Sequence, residues 1–183
     1  MIGSILPYIQ ERVSVKQFSS VLIDVSHLKL LLEAARWTPS SNNTQPWRFL
    51  VAKRDGERFN GILRSMAPAN AEWAFRASHL IVASVYTSAE ERFPNRHATY
   101  DLGQAVSYLT IQATSLGIAT HQIGGFDPQA LASRVGMSTA MQPVVIVALG
   151  YFDPTVQLSK RLTDRGAQRR SRLALQEIAV GDL

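Results

Sequence analysis

The 183-residue chain contains no cysteine, which excludes disulfides, thiolate metal sites and cysteine nucleophiles together. No two of its eleven glycines lie two residues apart, so a G-x-G-x-x-G fingerprint is absent, and there is no Gly-Lys-Ser/Thr either. A nucleotide cofactor, if one binds, must be held by side chains and scattered backbone groups. His27, His79, His97 and His121 lack metal-ligand spacing, and no serine sits in a nucleophile elbow. No charge-free window is long and apolar enough to span a bilayer. The stretch from Met1 to Leu6 lacks a basic leader and is cut short by Pro7, so no signal peptide is expected. These absences fit a cytoplasmic protein with no membrane partner.

What is present suits a compact enzyme. Hydrophobic residues make up 46% and charged residues 18% of the chain, enough apolar material for one core at a length where a single domain, 1–183, is the default. The net charge of +5 is concentrated. Lys160, Arg161, Arg165, Arg169, Arg170 and Arg172 face Asp164 alone, and the rest of the chain balances. This segment could be a solvated charge run, a nucleic-acid patch or a phosphate site. Non-specific nucleic-acid binding needs phosphate contacts spread over a surface, and no basic stripe lies elsewhere, so a local anion site fits better and no nucleic-acid partner is expected.

Periodicity predicts alternating elements. Helices are expected over Ser4 to Arg12, from an N-cap at Ser26 to Arg36, over Glu57 to Met66, and over Ala71 to Ala77 beyond Pro68. Leu102, Ala105, Val106, Leu109, Ala113 and Leu116 keep a helical period inside a stretch without charge, predicting a central buried helix with a glycine cap near Gly117. Asp127 and Pro128 predict a further helix start. Strands are expected at Trp47 to Lys53, Leu80 to Tyr86, Ala119 to Ile123 and Val144 to Gly150, the last all apolar. The order predicts α+β or α/β, with a mixed sheet covered by helices and a long polar tail from 152 onward.

One loop stands out. Thr38 to Trp47 packs four hydroxyls, two asparagines, a glutamine and two prolines into ten positions. One or two such residues would suffice for a connector. Many uncharged donors and acceptors on a stiffened backbone suit the face and edge of a planar polar ligand, although a plain helix-to-strand connector has similar composition. The order Pro39-Ser40-Ser41-Asn42-Asn43-Thr44-Gln45-Pro46-Trp47 resembles the signature loop of the nitroreductase family of FMN oxidoreductases. Arg12-Val13-Ser14-Val15-Lys16-Gln17-Phe18 resembles the family's opening motif. Asn70, ahead of the strand that starts near His79, resembles its flavin-contacting asparagine. Ile123-Gly124-Gly125-Phe126 resembles the turn over the flavin ring, and Arg170-Ser171-Arg172 the late basic pair. The five pieces occur in the family's order.

The resemblance implies an α+β fold built as an intertwined homodimer, with FMN at the interface and residues 152–183 wrapping the partner and lending it an edge strand. It implies NAD(P)H as electron donor and a small electron-poor acceptor (nitroaromatic, quinone or enone) in a ping-pong cycle. It assigns Arg12, Ser14, Arg170 and Arg172 to the flavin phosphate, where arginine's planar fork suits the task. Lys16 falls to the pyrimidine edge, where a cation favours the reduced, negatively charged ring. Val13, Pro39, Ser40, Ser41, Asn43, Gln45, Asn70, Ile123, Gly124 and Gly125 complete the implied cofactor set, with no protein side chain as the catalytic group. Val13 stands where many relatives carry Arg or His, and Trp73 where some carry a basic residue. On local grounds alone, Asn70 could cap a helix before Ala71, Gly124-Gly125 could be a tight turn, and Trp47 could be core packing or a cover for the ring. The alternative function is a non-catalytic flavin-binding protein, or a nucleic-acid binder using the basic segment.

Overall fold

The computed structural model describes residues 4–86, 96–166 and 171–181, without the side chains of 164–166. Four strands, β1 (Trp47–Lys53), β2 (His79–Tyr86), β3 (Ala119–Ile123) and β4 (Met141–Gly150), form one sheet in the order β1-β2-β4-β3. Helices α1 (Pro7–Glu11), α2 (Val25–Arg36), α3 (Glu57–Leu63), α4 (Pro68–Ala74), α5 (Ala98–Ser115), α6 (Pro128–Val135), α7 (Lys160–Gly166) and α8 (Leu175–Ile178) surround it.

Each ladder is antiparallel, which corrects the expected mixed sheet. The reason lies in the connection through α5. β2 and β3 both run antiparallel to β4 and so point the same way, as a strand–helix–strand unit does. β4 then inserts between them, and the two parallel strands never pair. A parallel contact survives outside the strands, as a single bridge between Ser14 and Thr120.

The core is split by the sheet. Along β2, Ile81, Ala83 and Val85 point into a cluster with α2 and α5, while Leu80 and Val82 point to the other side with α3, α4 and α6. β4 divides likewise, with Val147 and Leu149 on the first face and Ile146 and Ala148 on the second. Both central strands are therefore buried on two faces, which is why they read as continuous apolar runs. β4 starts three residues earlier than expected because a bulge opposite Ala83 and Ser84, which passes over Val144, lets the ladder run on through Pro143 and Gln142 to Met141.

The caps explain the other shifts. Pro7 forces Leu6 into an extended conformation, so α1 starts at Pro7 rather than Ser4. Asp24, not Ser26, caps α2, its carboxylate accepting from Ser26 N–H at 2.7 Å. Pro68 opens α4 at its first position instead of separating two helices, which brings Asn70 inside the helix and rules out its role as a cap. Gly117 adopts φ +68° after α5, with Ile118 N–H bonding back to Ala113 and Gly117 N–H to Thr114, a Schellman ending. Asp127 caps α6 by accepting from Gln129 and Ala130 N–H.

Candidate functional site

The motif near the N-terminus lies along the free side of β3. Ser14 bridges Thr120, and the ring nitrogen Nδ1 of His121 donates to the Val15 carbonyl at 2.9 Å. A carbonyl can only accept, so Nδ1 carries the proton and Nε2 keeps its lone pair in the neutral ring. Burial, opposed by that bond and reinforced by the charges of Lys16 and Arg12, pushes the His121 pKa down, leaving the ring neutral at pH 7. Further along, Phe18 bridges Phe152, and Gln17 Nε2 donates to the Val156 carbonyl at 2.8 Å. The segment is thus pinned between the edge strand and the chain that leaves β4.

This placement gathers cations and hydroxyls. Arg12 donates to Ser14 Oγ at 3.4 Å. Ser14, Lys16 and Gln17 line a cavity of about 360 Å³ with Phe152, Leu158, Leu162 and Thr163. A neighbouring hollow of about 220 Å³ takes Arg12, Val13 and Thr120, and shares Val15 and Phe152. The charge of Lys16 also reaches Glu72 on α4. Hydrogen bonds from Ser159 and then Arg161, the latter at 2.8 Å, hold the Glu72 carboxyl below its ordinary range, with Lys16 adding to the effect. Arg161 thereby ties α7 to α4 through this ion pair.

The turn after β3 supplies backbone. Asn70 Nδ2 donates to the Gly125 carbonyl at 3.2 Å, and Ala67 N–H donates to the same oxygen at 2.9 Å. A Cβ on Gly125 would stand 2.7 Å from Asn70 Nδ2, whereas one on Gly124 would meet nothing within 4 Å. A side chain at 125 would therefore displace the Asn70 amide from this bond, and Gly124 leaves an open face. Ile123 is buried in the core, so only its backbone can serve a ligand. Trp73, one helical turn beyond Asn70, is also buried, with its ring 4.5 Å from that of His121. Its indole N–H has no hydrogen-bond partner among the described residues.

The signature loop lies elsewhere. Pro39, Ser40, Ser41, Asn43 and Gln45 precede β1, at the opposite edge of the sheet from β3. Three strand spacings of about 4.8 Å separate the edges, so one chain does not bring the two groups together. The loop forms its own hollow of about 220 Å³ against Tyr100, Asp101 and Gln104 of α5. Asn42, Asn43 and Gln45 have φ of 50°, 56° and 47°. Such left-handed residues are tolerated by asparagine but cost on the order of 1 kcal/mol or more for other side chains. Trp47 is 6% exposed and packs in the core, which resolves its two readings in favour of packing. Arg170 lies outside the described residues. Arg172 is exposed and donates to the Ser171 carbonyl. His121, Glu72, Arg161 and Asp101 belong to these clusters without having been singled out as binding residues. The period-two alternation His121, Ile123 on an edge strand was the available signal for the first.

The architecture and cradle define an α+β protein with a cationic cleft beside an edge strand and a glycine turn held by an asparagine amide. The nitroreductase family model matches residues 9–151, and the chain belongs to that family. It is 31% identical over 140 residues to a 15.4 kDa protein of Mycolicibacterium smegmatis, covering 72% of this chain and 93% of that one. It is 24% identical over 196 residues to a Streptococcus pyogenes protein named as an NAD(P)H nitroreductase, covering 88% and 96%. A crystal structure of an oxidoreductase containing FMN superposes with a TM-score of 0.89 at 28% identity, covering 98% of this chain and 92% of that one.

Proposed function

We propose that the protein is an FMN-dependent oxidoreductase that works as a homodimer. The observation that carries this reading is the convergence of Arg12, Ser14 and Lys16 on β3 beside the Asn70–Gly125 turn. Its donor set fits FMN: two cations and a hydroxyl for the phosphate and ring edge, one amide able to donate and accept, and a glycine pair open at Gly124. When bound, FMN would supply the hydride chemistry between NAD(P)H and an electron-poor acceptor such as a nitroaromatic, quinone or enone, in a ping-pong cycle.

The protein's share is binding, orientation and field. Arg12, Arg170 and Arg172 supply positive charge for the phosphate, with Ser14 as a neutral donor. Lys16 supplies it for the pyrimidine edge. The Asn70 amide has one N–H and its carbonyl beyond the Gly125 bond, enough to orient a ring through two atoms. The position of the loop supports the dimer. With Pro39 to Gln45 at the far edge of the sheet, a complete site takes the loop of one chain and the cradle of the other. Exposed apolar side chains on α1, α2 and α5, among them Tyr8, Ile9, Leu30 and Tyr108, offer surface for that contact. The tail then has a role across the interface. In the chain alone Leu175–Ile178 forms one helical turn, and Val180 is 99% exposed.

The test is optical. Purified protein is expected to be yellow or to take up FMN, and its flavin absorbance should bleach with NAD(P)H and recover on addition of a quinone or nitroaromatic. Colourless protein that takes up no FMN and retards DNA would replace this reading with the nucleic-acid one.

A further inference from the structure

The acid at the start of the central helix is buried for a reason that the fold alone does not require. Asp101 sits in the first turn of α5 and is 2% exposed. Its Oδ2 accepts from the Ser41 N–H at 3.1 Å, across 60 residues of chain. A carboxylate is seldom taken out of water without hydrogen bonds to answer it, and the positive end of a helix favours its charge. The bond lands on a loop that carries three left-handed residues, Asn42, Asn43 and Gln45. Ser41 is half-buried, while Asn42 to Gln45 are exposed and contribute no side chain to the core. Asn42 and Asn43, the two residues after the anchor, are left-handed. The loop's internal bonds, Asn43 N–H to the Ser40 carbonyl, Thr44 N–H to the Ser41 carbonyl and Gln45 N–H to Ser40 Oγ, close short turns, and Arg48 on β1 donates to the Gln45 carbonyl at its far end. Pro39, Ser40 and Ser41 face Tyr100, Asp101 and Gln104 across the hollow.

We propose that Asp101 is a positioning residue for the cofactor loop: its buried carboxylate holds the Ser41 backbone, and through it the left-handed turn, in the shape that presents Ser40, Ser41 and Asn43 to the flavin. The inference rests on the loop being half of the cofactor site. The hydroxyl of Ser40 already accepts from Gln45, so its hydrogen is left to donate outward. Loss of the anchor would free the turn to relax, and binding would then require re-ordering it.

The test uses the full chain, with amide exchange at Ser41 read by NMR and FMN affinity read by titration. Asp101→Ala removes the acceptor, and Asp101→Asn keeps an acceptor oxygen of the same reach without the charge. Asp101→Ser, which draws the acceptor back but stays polar, serves if the alanine variant does not fold. In the alanine or serine variant, Ser41 exchange should rise by about tenfold and FMN affinity fall by about as much, the scale of one hydrogen bond. The β1 amides should keep their protection, and Asp101→Asn should restore both quantities. Unchanged Ser41 exchange, or an asparagine variant as damaged as the alanine one, overturns the anchor. Faster exchange with unaltered FMN affinity overturns its role in binding. Wild-type protein that takes up no FMN overturns the cofactor reading itself.

Discussion

Lys16 and Arg12 are four residues apart, yet they meet different surroundings. Arg12 bonds to Ser14 Oγ at the open end of the segment. Lys16 is half-buried in the cavity wall, with Glu72 and His121 within electrostatic reach. The two cations should therefore fail differently. Lys16→Met keeps the stem and removes the charge proposed above to favour the reduced ring. A partly buried cation worth ~1–3 kcal/mol corresponds to a fall in midpoint potential of some tens of millivolts, since ~1.4 kcal/mol is ~30 mV for a two-electron couple. Arg12→Met should weaken FMN binding and move the potential little. Spectroelectrochemical titration separates them, and an unmoved potential in Lys16→Met would remove that lysine from the ring edge. Both residue types and their spacing were legible in the sequence. What was not legible is the company of Glu72 and Arg161, whose pairing at 2.8 Å spans 89 residues.

At the scale of elements, the cradle depends on how β4 ends. A Cβ on Gly150 would lie 2.7 Å from Phe18 Cδ1 and 3.2 Å from its Cγ. Phe18 is 1% exposed, its ring 6.2 Å from Trp73, which in turn stacks near His121, the residue that holds Val15. Gly150→Ala must push Phe18 aside, at a cost of about 1–3 kcal/mol for an overpacked core, and should loosen the Ser14–Lys16 segment with it. A lower urea midpoint together with weaker FMN binding is the expected pair of results, and an unchanged midpoint would show that Phe18 yields freely. The elements themselves were largely predictable, because caps such as Asp127-Pro128 and the apolar runs of β2 and β4 are local signals. The boundaries missed at α1, α2 and α4 turn on which of two nearby residues makes the cap, and that is decided by backbone geometry a few residues away.

At the scale of the molecule, the Pro39–Gln45 loop and the Arg12–Lys16 segment lie at opposite edges of one sheet. The tail ends in exposed apolar side chains, with Leu173 65%, Leu175 60% and Ile178 66% exposed. In the dimer proposed above, these bury against the second copy. Deleting 173–183 should then lower dimer content and flavin content together, because assembly and site formation are linked. Ultracentrifugation and absorbance on the truncated protein check this. A truncated chain that stays dimeric and fully loaded with FMN would leave the tail without that role.

The sequence by itself determined the class of fold, the residue types of the cradle and the order of the motifs, since all of these follow from local periodicity, turn chemistry and short spacing. Tertiary structure decided the rest. Whether β2 and β3 pair or are parted by β4 depends on a strand that comes later in the chain, so alternation of elements could not distinguish a mixed sheet from the antiparallel one observed. The distance between the Pro39–Gln45 loop and the Arg12–Lys16 segment is set by sheet order, which places β1 and β3 at opposite edges. The burial of Asp101 against Ser41 is likewise a meeting of distant segments. Motif order along a chain carries no information on which edge each motif will occupy, because that is fixed by the packing of both core faces against the whole sheet.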